Sequence, residues 1–208
     1  MRPNIDIHEW KIIESHWDSR HQIISESLFS LGNGRMGQRA NNEEGFSGKH
    51  LLGSYIGGVY YPDKTKVGWW KNGYPEYFAK VLNSVNFSGL NLLIDGEVLD
   101  LNKVNVSSFK RELDMQHGIL KREFQVIMKS GINVTVHAER FLSIAQDDLA
   151  VMRYQIEIDK NGKIDIEPFL DFNIRNSDSN WDETFWEPIK QGTNEESAFI
   201  QNKTKKSD

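Results

Sequence analysis

The feature that most limits what this 208-residue chain can fold into is a period-two alternation in its second half. Ala150, Met152, Tyr154, Ile156 and Ile158 are apolar, while Val151, Arg153, Gln155 and Glu157 fall on the other side and are mostly polar. Successive side chains of a strand point to opposite faces, so this spacing specifies a half-buried β-strand. Alternation resumes through Ile164, Ile166, Pro168, Leu170, Phe172 and Ile174 after Asp159-Lys160-Asn161-Gly162-Lys163, where Asn-Gly supplies the positive φ angles of a tight hairpin. Pro168 cannot donate to a ladder, which places it at an edge or a bulge. Two more pairs of apolar runs flank glycine turns: residues 120–128 and 132–138 around Ser130-Gly131, and residues 90–94 and 98–101 around Asp95-Gly96. Helix is weakly signalled. Its best candidate is residues 75–82, where Tyr77, Phe78, Val81 and Leu82 share one side at helical spacing, a two-turn insertion in a loop. Strands at short intervals with glycine-containing turns predict an all-β chain, an antiparallel β-sandwich.

Composition narrows the function. Hydrophobic residues make up 38% and aromatics 11%, enough for a packed core, and no apolar run approaches the roughly 20 residues of a membrane span. With 25 Lys and Arg against 30 Asp and Glu, the net charge of -5 leaves no cationic excess for a phosphate backbone, so neither nucleic acid nor membrane is an expected partner. There are no cysteines, and the start MRPNIDIHEW lacks the apolar stretch of a secretory signal; a cytoplasmic location is the expectation. With only 5 prolines and no low-complexity linker, residues 1–208 read as one domain. The six histidines show no HxH or HExxH spacing, so no metal is expected.

Three motifs merit weighing. Gly32-Asn33-Gly34-Arg35-Met36-Gly37 fits GxGxxG, but the polar residues 38–45 offer no stripe on which a helix could pack, and a glycine-rich turn is the better reading. Residues 68–78, GWWKNGYPEYF, concentrate Trp69, Trp70 and Tyr74 around Lys71-Asn72-Gly73. Flat rings suit the apolar faces of sugars, and Lys71 and Asn72 can donate to hydroxyls, so this loop is a candidate rim of a carbohydrate cleft, against the simpler account of a loop anchoring its own aromatics. Residues 176–187, NSDSNWDETFWE, set Asp178 and Asp182 among Trp181 and Trp186. Paired carboxylates beside aromatics suit glycoside chemistry, while Asp and Asn equally serve as turn formers.

Several long strings carry a resemblance: ESLFSLGNGRMGQRANNEEGFSGK (26–49), YIGGVYYPDKTKVGWWKNGYPEYFAKVLN (55–83), RELDMQHGILKREF (111–124), ERFLS (139–143) and NSDSNWDETFW (176–186). Across nearly the whole chain they are similar to the N-terminal region of glycoside hydrolase family 65. The resemblance implies an antiparallel super-β-sandwich like that of galactose mutarotase, here lacking its last strands. It further implies a following (α/α)6 barrel holding the general acid and the phosphate site. In such enzymes the acid protonates the glycosidic oxygen of an α-glucosyl disaccharide such as maltose, while inorganic phosphate, a co-substrate and not a cofactor, attacks the anomeric carbon with inversion. No catalytic residue is carried onto residues 1–208, which are expected to be inactive alone, to meet disaccharide and phosphate only with the barrel, and to be capable of forming a homodimer. Trp69, Trp70, Lys71, Asn72 and Tyr74 are the first substrate-contact candidates, with Asp178, Trp181, Asp182 and Trp186 as the second set. The rival reading is a self-contained carbohydrate-binding sandwich.

Overall fold

The structure is a computed structural model that describes residues 5–66, 73–179 and 181–206. In chain order the strands are β1 (Ile5–Ile7), β2 (Lys11–Glu14), β3 (Leu31–Gly32), β4 (Met36–Gln38), β5 (Ser54–Lys64), β6 (Tyr77–Asn83), β7 (Leu90–Ile94) and β8 (Glu97–Val98). They continue as β9 (Asn105–Asp114), β10 (Ile119–Ile127), β11 (Asn133–Leu142), β12 (Ala150–Ile158), β13 (Ile164–Pro168), β14 (Trp186–Thr193) and β15 (Ala198–Thr204). One short helix, α1 (Gln22–Leu28), lies between β2 and β3. All strand pairings between these elements are antiparallel, as the alternation requires.

The frame is a six-stranded sheet in the order β1-β2-β9-β10-β11-β12. Every second residue of β10 and β11 is buried, so one face of the sheet is core. Phe124, Val126, Val134 and Val136 from that face pack on Leu90, Leu92 and Ile94 of the three-stranded sheet β13-β7-β8, which makes the sandwich. Each fully buried Phe, Val or Leu of this set is worth about 1.5–3 kcal/mol. At the other end of the same face Leu113, Leu120 and Leu142 pack on Phe29, Leu31 and Ala40. A third, smaller cluster joins Tyr61 and Leu82 of β5 and β6 to Phe185.

Turn chemistry sets two registers as the sequence predicts. Asp95 and Gly96 both have positive φ, the condition for a two-residue β-hairpin, and join β7 to β8. Ser130-Gly131 joins β10 to β11. Pro168 closes β13, an outer strand of its sheet, where its missing N–H costs nothing. The Gly32–Gly37 motif is a hairpin turn between β3 and β4, with the Asn33 carboxamide oxygen accepting from the N–H groups of Arg35 and Met36.

Two expectations are corrected, and one element escaped the sequence. Asn161-Gly162 does not close a hairpin: β12 pairs with β11 whereas β13 crosses to β7 in the other layer, and Gly162 is not among the glycines of positive φ. The Asp95 carboxylate, accepting from Lys163 N at 2.7 Å, and the Asp95 N–H, donating to Lys163 O at 2.9 Å, draw the segment across. Residues 75–82 are not helical; they form most of β6, whose backbone groups are satisfied by β5. Finally α1 was not signalled, because its buried residues are Gln22, Ser25 and Glu26 while Ile23, Ile24 and Leu28 face outward, the reverse of the usual amphipathic pattern.

Candidate functional site

The structure brings the aromatic residues of β5 and β6 together with segment 175–187. β5 pairs with β4 over Ser54–Ile56, then departs at a bulge and continues with β6 as a two-stranded ribbon. Gly58 sits at that bulge with φ +84°, a conformation side chains rarely adopt, and the Gly57 N–H donates to Arg35 O. Along one face of the ribbon Tyr60 lies opposite Val81, Pro62 opposite Ala79 and Lys64 opposite Tyr77. Tyr60, Val81 and Tyr77 stay 54%, 47% and 44% exposed, a largely apolar strip that Lys206 borders at 5.1 Å from the Tyr77 ring.

Segment 175–187 lies against this ribbon. The Asn176 side chain donates to Val81 O and accepts from Asn83 N, both at 2.9 Å. Lys80 reaches both Asp63, at 2.9 Å, and Asp178, at 3.3 Å. The Trp181 indole donates to Lys64 O at 3.1 Å, and Lys66 stands 5.1 Å over its ring. Asp182, at φ +53°, pairs with Arg175 at 3.0 Å. Trp186 donates to Asn83 O at 2.8 Å and meets Phe172 edge-on at 5.1 Å. Tyr74 meets Phe78 edge-on at 6.2 Å. Trp69, Trp70, Lys71 and Asn72 lie outside the described residues. Asp178 and Asp182 each face a cation at an exposed surface, so neither sits in an enclosed cleft opposite the other. Among the described residues no group of three His, Asp or Glu is placed to hold a metal ion.

A second polar constellation escaped sequence reasoning. The inner face of the six-stranded sheet carries Arg111, Arg122 and Arg140 in phase with its apolar residues, all buried. Arg122 lies directly opposite Arg111 across β9 and β10, a like-charge pair that needs anions from above. Loop 39–53 supplies Glu43 and Glu44, β2 supplies Glu14, and α1 adds the neutral carboxamide of Gln22. Arg122 donates to both Glu43 and Glu44, Arg140 pairs with Glu43 at 3.2 Å, and Arg111 pairs with Glu14 at 3.2 Å and donates to Gln22 at 2.9 Å. The Tyr154 hydroxyl donates to Glu44 at 3.0 Å. Burial raises the Glu43 carboxyl, but Arg122 and Arg140 outweigh it and hold the group below the usual carboxylate range. Burial also lowers the Arg111 guanidinium to about 10. The available signal was Arg122 and Arg140 breaking an apolar phase, with Glu43-Glu44 inside a loop.

The arrangement defines a class: an all-β sandwich domain with one ion-locked loop layer and one outward aromatic ribbon. The chain belongs to glycosyl hydrolase family 65, whose N-terminal domain matches residues 12–208. It is 45% identical over 96% of its length to a maltose phosphorylase of Bacillus subtilis, and 28% identical over 81% to a kojibiose phosphorylase of Thermoanaerobacter brockii. A solved structure, a putative kojibiose phosphorylase from human microbiome, superposes on 97% of the chain with a TM-score of 0.87 at 30% identity. The chain spans 26%, 20% and 26% of these three, about a quarter of their length or less.

Proposed function

We propose that this chain acts as the N-terminal sandwich of a cytoplasmic, inverting disaccharide phosphorylase that converts an α-glucosyl disaccharide such as maltose and inorganic phosphate into glucose and β-glucose 1-phosphate. The general acid and the phosphate site belong to the remaining three-quarters of such a protein, and residues 1–208 take no chemical step. Similarity to maltose phosphorylase, well above that to the kojibiose enzyme, supports maltose as the disaccharide.

The observation that carries the sandwich's own role is the exposed strip Tyr60, Val81 and Tyr77 on a ribbon braced by segment 175–187. Apolar side chains facing outward suit burial against another domain, and the stretch of sequence between β5 and β6 contains Trp69, Trp70, Lys71, Asn72 and Tyr74. In this reading the ribbon docks on the catalytic domain and its tip borders the sugar cleft, the rings walling the sugar while Lys71 and Asn72 donate to hydroxyls. The test is a chimera in which this chain replaces the matching quarter of the B. subtilis enzyme. Trp70→Ala in that chimera raises KM for maltose at nearly constant kcat if the tip touches substrate; unchanged kinetics make Trp70 a structural residue.

A further inference from the structure

Beside the ribbon lies a hollow that this reading does not use. Segment 170–174 forms one wall and the β14–β15 hairpin the other, enclosing about 380 Å³, a volume in the range of small-ligand sites. Its apolar lining is the crossed ring pair Phe172 and Trp186 with Leu170 and Ile200. Its polar lining includes Asp171, Thr184, Gln191 and Asn202. These groups are held but not saturated. One Asp171 carboxylate oxygen accepts from Asn173 N at 2.7 Å, leaving the other open to a second donor. The Thr184 hydroxyl oxygen accepts from Lys205 at 2.6 Å and retains its own proton to donate. Asn202 Oδ1 is buried with no hydrogen-bond partner, an arrangement that folded proteins rarely leave unanswered.

We propose that this hollow is a pyranose-binding site, separate from phosphorolysis. A sugar ring has apolar C–H faces and a rim of hydroxyls that both donate and accept. The ring pair suits the first, while one carboxylate, two carboxamides and a hydroxyl suit the second. A hydrocarbon ligand would strip water from the Asp171 carboxylate and the Thr184 hydroxyl and give nothing back, and a phosphate would face the Asp171 carboxylate, so a neutral polyhydroxylated ring is the class that fits. Trp186 is already aligned by its hydrogen bond to Asn83 O, so binding requires no reorientation of the indole.

The experiment titrates the 208-residue chain with methyl α-glucoside and with maltose, following the indole N–H resonances by NMR, with Trp186 assigned through Trp186→Phe. Saturable movement of the Trp186 signal is expected with sugar and not with glycerol. Gln191→Ala and Asp171→Asn are each expected to weaken binding about five- to tenfold at an unchanged melting temperature. A static Trp186 signal, movement confined to the other indoles, an equal response to glycerol, or full affinity in both variants would overturn the proposal. None of these outcomes bears on phosphorolysis in the chimera, so the two readings stand or fall separately.

Discussion

The ion-paired layer over the six-stranded sheet and the aromatic ribbon of β5 and β6 draw on similar side chains and use them in opposite ways. In the layer, Arg111, Arg122 and Arg140 spend their donors inward on Glu14, Gln22, Glu43 and Glu44, and loop 39–53 is fixed on the sheet as a result. On the ribbon, Lys80 and the Trp181 indole brace the backbone from one side, and Tyr60, Val81 and Tyr77 are left facing outward. Density of charged or aromatic residues therefore does not locate function in this molecule. What separates the two regions is exposure: the layer's arginines meet their anions inside the fold, whereas Tyr60 and Val81 of the ribbon stay about half exposed, the surface that the proposed docking would cover.

The largest expected effect falls on the layer. Arg122→Ala leaves Glu43 and Glu44 buried without their shared cation and is expected to cost about 3–5 kcal/mol, read as a large drop in the urea midpoint. A loss below about 1 kcal/mol would mean that water reaches the layer and that the contrast with the ribbon is false.

Acid sharpens the same point. Glu43 is held below its ordinary value of 4.5. The folded state thus binds this proton more weakly than the unfolded chain does, so its contribution is fully present above the unfolded value and is lost as pH falls through the folded one. Glu112, held down by hydrogen bonds from Lys11 and Lys110, adds in the same direction. Urea midpoints are expected to hold between pH 5 and 7 and to fall below about pH 4.5, and Glu43→Gln to flatten part of that slope at the cost of lower stability near neutrality.

Gly58→Ala is expected to act on the ribbon alone, costing about 1–2 kcal/mol because φ +84° crowds a Cβ. Hydrogen exchange should quicken in β5 and β6 and remain slow in β10 and β11; uniform quickening would show the two regions to be one cooperative unit. The smallest effect is expected for Tyr60→Ser with Val81→Ser, within about 0.5 kcal/mol for the chain alone. The same pair in the chimera should weaken association with the catalytic domain, seen as a lower melting temperature of the whole protein.

Much of this was legible in the sequence, for a physical reason. Strands β10 to β12 turn one face inward, so their apolar alternation is regular except at Arg122 and Arg140, and Asp95-Gly96 and Ser130-Gly131 mark turns whose backbone geometry favours those residues. Asn161-Gly162 misled because a long-range pair, Asp95 with Lys163, decides where the chain goes next. Residues 75–82 misled because aromatic and β-branched residues at short helical spacing sit equally well on a twisted ribbon. Helix α1 was hidden by burying glutamate and glutamine, which only the distant arginines of the sheet make tolerable. At the candidate site the sequence marked Asp178, Trp181, Asp182 and Trp186 as a group, but it could not show that Lys80, Lys64 and Arg175 would engage three of them.

The central claim is that residues 1–208 brace and border a catalytic site without containing one. The most direct measurement is glucose 1-phosphate release by the folded 208-residue chain given maltose and inorganic phosphate, beside the B. subtilis enzyme under the same conditions. The account predicts no product from the chain and steady product from the enzyme. Phosphate-dependent turnover by the chain alone would contradict it.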